Sequence, residues 1–211
     1  SLSEFKSLMP ISDKLIELNK KRFLNFDHPE NPKKAAAFLF TGATFDGLSI
    51  RSFHENSYDY IQKKLRIISG LYGLLKPFDI IQPYRLEMGT DTVQLINSNL
   101  YKFWSEDVSK YLNEEIKVNS SKFLFNLSSK EYFSVLNHKK IEAEVIDFDF
   151  KIKLNGEYKN IGMQIKKMRG SMAKFIIDNR IESIEPLKKF EFNNFKFRKI
   201  LPKTNTLLFT T

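Results

Sequence analysis

The sequence predicts an α+β fold, a compact single domain with a mixed β-sheet flanked by helices. Three observations carry that expectation. Strand and helix patterns are interspersed without the strict alternation of a doubly wound fold. One long helical repeat and one long alternating run stand out from shorter segments. Asn155-Gly156 joins two extended stretches and is the strongest hairpin signal in the chain. At 211 residues the chain has the size of one large domain, 1–211, and its 42% hydrophobic content supports a sizeable core.

The elements follow in order. Ser12 is placed to cap a helix running to about Phe26, with Leu15, Leu18 and the stem of Arg22 on one side. Ala36 to Phe40 reads as a short buried strand, and Asp46-Gly47 as a turn. Ser57 starts a helix in which Tyr58, Ile61, Leu65 and Ile68 share a face and Gly70 is the C-cap. Pro83 favours extended chain from Gln82 to Met88. Leu100 to Ile116 repeats as a helix, capped by Ser98 or Asn99. Phe123 to Leu127 is a central strand, and Ser128-Ser129-Lys130-Glu131 a capping box. Glu142 to Leu154 alternates as a strand, with Tyr158 to Ile165 as its returning partner. Lys166 to Arg180 is a helix, and Phe190 to Thr211 a terminal strand pair.

Composition excludes several classes. Without cysteine there is no disulfide, thiolate metal site or thiol nucleophile in this sequence. His28, His54 and His138 are scattered, so neither a metal nor another cofactor is expected. No Walker loop, Gly-x-Gly-x-x-Gly or Gly-x-Ser-x-Gly occurs. No apolar run is long enough to span a bilayer. The first residues read as helix from Ser1, and a preceding N-terminal segment is expected. The formal net charge is +9. Segment 159–180 holds Lys159, Lys166, Lys167, Arg169, Lys174 and Arg180 against Asp178 alone. Such a stripe suits a polyanion, and it equally suits a solvated surface.

Four constellations can carry chemistry. Gly70 and Gly73, with Lys63, Arg66 and Lys76 nearby, can open backbone amides to a phosphate, or simply turn the chain. Arg85 and Glu87 share one face of an extended segment and Tyr84 the other. That pair can clamp an anion and move a proton, or be an ordinary surface ion pair. Lys167, Gly170, Ser171 and Lys174 share a helical stripe. A mid-helix glycine there signals close approach by a phosphate or by another helix. Asn126 and Ser128 end a buried strand, where α/β proteins often place ligands.

Taken together, these residues resemble a known family. Ser69 to Asp79, Gln82 to Gly89, Leu100 to Trp104, Asn126 to Ser129 with Glu131 to Phe133, and Arg169 to Met172 leading to Phe175–Arg180 are similar to the bacterial YaaA peroxide-stress proteins. Met9 to Leu15 fits the family's early helix, and the likeness covers nearly the whole chain. The family's initial strand and Ser-Pro-Ala-Lys-Thr motif are not in this sequence. The resemblance implies a cytoplasmic protein that limits oxidative DNA damage and free iron. It also implies DNA binding through a basic cleft and a helix-hairpin-helix-like element. Carried onto this chain, the hairpin spans Ser69 to Gly73, including Gly70 and Tyr72, with Lys63 and Arg66 before it. The cleft draws on Lys76, Arg85, Lys167, Arg169, Gly170 and Lys174.

The leading expectation is therefore DNA, double-stranded or distorted, gripped mainly by its phosphates. The alternative is an enzyme acting on a nucleotide or nucleobase in the same cleft, through Tyr84, Arg85, Glu87, Asn126, Ser128 and Arg169.

Overall fold

A computed structural model describes residue 6 and residues 8–211. The helical reading of residues 1–5 lies outside the described residues.

The first half of the chain builds short elements. Helix α1 (Asp13–Leu24) follows Ser12, whose side chain makes no cap bond. Its inward face is Ile16 and Asn19, while the side carrying Leu15 and Leu18 is 38% and 43% exposed at those residues. β1 (Lys34–Ala35) leads into α2 (Ala36–Leu39), so the run expected as a strand is a helical turn. Its alanines have the highest helix propensity. α3 (Ala43–Leu48) replaces the expected Asp46-Gly47 turn. α4 (Tyr58–Lys64) stops well before Gly70, and Leu65 is already extended. β2 (Ile67–Ser69) and β3 (Gly73–Leu75) then pair antiparallel.

This corrects the helix-hairpin-helix expectation: Ser69 to Gly73 is the turn of a β-hairpin. β-Branched Ile67 and Ile68 favour extended chain over a last helical turn. The Ser69 hydroxyl accepts from the amides of Leu71 (3.2 Å) and Tyr72 (2.9 Å), closing the turn. β4 (Ile80–Ile81) pairs antiparallel with β1, and α5 (Val93–Ile96) follows the extended 82–88 segment.

The second half matches its sequence pattern better. α6 (Leu100–Val118) is capped by Asn99, which accepts from the Lys102 amide at 2.9 Å. β5 (Phe123–Asn126) is followed by α7 (Lys130–Phe133), whose cap is Ser129, not Ser128. β6 (Glu144–Leu154) turns through Asn155 and Gly156, both at positive φ, into β7 (Glu157–Lys159). α8 (Gly162–Asp178) begins a turn earlier than expected and shortens that returning strand. α9 (Ile184–Leu187), β8 (Glu191–Phe192), β9 (Phe195–Leu201) and β10 (Thr206–Thr210) complete the chain.

The main sheet has the order β5-β6-β10-β9-β8, with β7 on the far end of β6. β6 pairs parallel with both β5 and β10, and β9 is antiparallel to β10, so the sheet is mixed. Even-numbered residues of β6, from Ile146 to Ile152, pack with Met168 and Met172 of α8 and with Phe195 and Phe209. Val145 and Leu124 point the other way, against Val108, Leu112 and Ile116 of α6. β5 and β6 are thus covered on both faces, and β5 ends at Asn126, which pairs with Asp147 within β6.

A cavity lined by paired and unpaired charges

The extended segment Pro83–Met88 is held by α1 and by the β2–β3 hairpin. Asn19, 1% exposed, donates to the Arg85 carbonyl and accepts from the Arg85 amide, both at 2.8 Å. α1 thereby supplies the pairing that a neighbouring strand would give. The Tyr84 hydroxyl bonds to Ser69 Oγ on the hairpin. A Cβ on Gly70 would lie 2.3 Å from the Leu86 carbonyl oxygen, so glycine is required for the hairpin to reach this segment.

Next to the segment is a cavity of about 930 Å³. Tyr84, Arg85 and Glu87 line it, as do Asn126 and Ser128 beyond β5, Glu131 and Tyr132 of α7, and Lys166, Arg169 and Gly170 of α8. Phe40, Thr41, Gly42 and Phe45 form another wall. A volume of that size falls in the range of small-molecule sites, roughly 300–1,000 Å³.

The charges divide into two groups. Arg85 and Glu87 form an ion pair at 2.6 Å, with side chains 41% and 36% exposed. Arg66 and Lys76 both engage Glu115. Burial raises the Glu115 pKa, but hydrogen bonds and charge from Lys76 and Arg66 outweigh it and leave it below its ordinary value. Lys174 pairs with Asp178 at 3.0 Å and lies 4.1 Å over the Phe53 ring. By contrast, Arg22, Lys63, Lys122, Lys166 and Arg169 line the cavity with no ion-pair partner within reach among the described residues. Burial lowers the Arg169 pKa, and the charge of Asp149 opposes that shift. Burial and the charges of Glu131 and Glu87 push Tyr132 up to about 12, so its phenol is neutral across the physiological range.

Polar groups around Asn126 are arranged rather than free. Asn126 Nδ2 donates to Asp147 (2.6 Å), and its Oδ1 accepts from the Ser128 hydroxyl (2.7 Å) and amide (3.1 Å). Glu131 accepts from the Gly89 amide at 3.0 Å. Arg85 Nε is buried without a hydrogen-bond partner. Among the described residues, no three His, Cys, Asp or Glu side chains gather to hold a metal ion. No helix among them is long and apolar enough to cross a membrane.

Comparison with known proteins matches this sequence to a family. The family model of the peroxide stress protein YaaA covers residues 1–201. The chain belongs to that family. A UPF0246 protein of Legionella pneumophila (strain Corby) is 42% identical over 212 residues, spanning 99% of this chain and 82% of that relative. One from Idiomarina loihiensis is 40% identical over 211 residues, spanning 99% and 82%. One from Aliivibrio fischeri (strain MJ11) is 41% identical over 208 residues, spanning 98% and 80%. Its general role is accordingly in peroxide stress.

In this member of the YaaA family, the residues singled out by sequence fall into three places. Lys63, Arg66, Tyr84, Arg85, Glu87, Asn126, Ser128, Arg169 and Gly170 line one cavity. Gly70, Tyr72 and Gly73 are packed into the hairpin. The Trp104 ring would lie 2.8 Å from a Cβ on Gly73, and its indole nitrogen donates to the Gly70 carbonyl at 2.9 Å. Tyr72 accepts from the Gln82 amide at 3.1 Å. Lys76, Lys167 and Lys174 lie outside the cavity lining. Gly170 answers the question its sequence raised: a Cβ there would lie 1.8 Å from the Thr44 carbonyl oxygen, so the close neighbour is α3. Because α8 starts at Gly162, the Lys167–Lys174 amides are mid-helix and not free at its first turn.

Sequence reasoning missed Asn19, Glu131 as a lining carboxylate, and the Phe40–Gly42 wall. Asn19 carried one signal, a polar residue three positions after Ile16 on what proves to be the inward face of α1.

Proposed function

We propose that this chain serves its peroxide-stress role in the cytoplasm by binding DNA through its phosphates, and that it thereby limits oxidative DNA damage and free iron. One observation carries the reading: Arg22, Lys63, Lys122, Lys166 and Arg169 surround a single concavity without acidic partners among the described residues. Cations already paired within the protein gain little from a phosphate, whereas unpaired ones gain counterion release. The hairpin glycines have no part in this reading. Affinity should fall steeply with salt and depend little on base sequence. The test is titration of a labelled duplex at two salt concentrations, with wild type and a Lys63→Glu/Lys166→Glu variant. The variant should bind more weakly at low salt and show a shallower salt dependence. Equal affinity for the two proteins would remove the cavity as the DNA site.

A second reading is an enzyme acting on a nucleotide or nucleobase, with Glu87 as acid/base and Arg85 as anion clamp. It is favoured by the placement of Arg85, Glu87 and Arg169 in one concave site.

A further inference from the structure

The wall chemistry of the cavity points to more than phosphate gripping. We infer that its polar end is a pocket for one nucleotide unit, with the base at Arg85 and Glu87 and the phosphate at Arg169 and Lys166. The inference requires no catalysis and goes beyond backbone binding.

Glu87 and Glu131 both line this end, so a bare anion there meets two carboxylates and is disfavoured. A base edge presents N–H donors as well as acceptors. The Arg85–Glu87 pair offers both kinds of partner side by side, the arrangement that reads base edges elsewhere. Ser128 Oγ spends its proton on Asn126, which leaves its lone pairs to accept a further bond. Asn126 Oδ1 accepts both Ser128 bonds while its Nδ2 donates to Asp147, so Asn126 is a positioning residue that fixes Ser128.

Phe40 and Phe45 stack at 5.2 Å, and Tyr84 meets Phe40 edge-on at 6.0 Å, giving the cavity aromatic surface for a planar ligand. Lys166 and Arg169 are one helical turn apart on α8 and provide the charge a phosphate needs. At Gly42, φ is +103° and nothing lies within 4 Å of a built Cβ, so the wall there is open.

The nucleotide unit can come from a free mononucleotide or from an unpaired residue in DNA, and the experiment separates them. Calorimetric titrations would use purine and pyrimidine nucleoside monophosphates, a ribose phosphate lacking the base, and inorganic phosphate. At least one nucleotide should bind about tenfold more tightly than the baseless sugar phosphate, the gain of a hydrogen bond to a charged group. Glu87→Gln should reorder the nucleotides and leave the sugar phosphate unchanged, whereas Arg169→Ala should weaken every phosphorylated ligand. Ser128→Ala provides a second base-side variant should Glu87→Gln fold poorly. In the DNA arm, duplexes with one unpaired residue are compared with their fully paired counterparts.

Preference for the nucleotide in the first arm, or for the unpaired residue in the second, supports the pocket and names its source. Equal binding of nucleotide and sugar phosphate, together with no preference for the unpaired duplex, overturns it. Salt-dependent duplex binding can survive that result, and nucleotide binding without duplex binding would instead remove the DNA reading.

Discussion

Gly42 at the cavity rim and Gly47 at the crossing with Gly170 lie close in the chain, yet glycine does different work at each. At the crossing, Cβ atoms on Gly47 and Gly170 would lie 2.2 Å and 1.8 Å from backbone oxygens of the facing helix. Two helices touch through their main chains, and no ligand can enter. At Gly42 the surrounding space is empty, and glycine is required only by its φ of +103°. A glycine in sequence reports close approach or unusual backbone, but not which of these holds. The lysine stripe of α8 divides in the same way. The backbone from Lys167 to Ser171 is closed by α3, with Gly170 at the cavity's edge, and the cavity takes its charge from Lys166 and Arg169.

Matched substitutions can break that contrast. Gly170→Ala should cost at least ~3 kcal/mol, the upper range for overpacking, because backbone and not a flexible side chain must move. Gly42→Ala should cost about 1–2 kcal/mol, from backbone strain alone. Urea denaturation measures both, and equal costs would mean the helices readjust freely.

Asn19 tests the rim from behind. Asn19→Ala leaves the Arg85 amide and carbonyl without these bonds and should cost about 2 kcal/mol. It should also weaken ligand binding by displacing Arg85, although Asn19 itself does not line the cavity. Unchanged binding in a destabilised protein would confine Asn19 to folding.

The smallest effect concerns pH. The Glu115 carboxyl titrates below its ordinary value of 4.5 in the folded chain. Its contribution is complete above that value and is lost as pH falls through the lower folded value. Thermal melts of wild type should therefore decline through this acid range, and Glu115→Gln should flatten part of the decline. The same slope in both proteins would show that Arg66 and Lys76 do not need this partner.

Much of the second half of the fold was legible because its signals are long or local. α6 repeats over many turns, and Asn155-Gly156 needs only two residues to set the hairpin. The first half was not, for a physical reason. Ile61, Leu65 and Ile68 satisfy a helical period, but the chain turns extended at Leu65, where β-branched Ile67 and Ile68 and the hairpin pairing outweigh that period. α2 is too short to show any period. In the site, Arg85, Glu87, Asn126, Ser128 and Arg169 were recognisable as residues. Their convergence was not, because it depends on β5, α8 and the 82–88 segment meeting in space. Nor could sequence show that Glu115 and Asp178 had already taken three of the expected cations.

One consequence follows from the hairpin. Trp104, the sole tryptophan in the sequence, lies against Gly73 and bonds to Gly70, which itself abuts Leu86 between Arg85 and Glu87. The indole is therefore a native optical probe placed just behind the cavity wall. Its emission should register anything that shifts that wall, without a label.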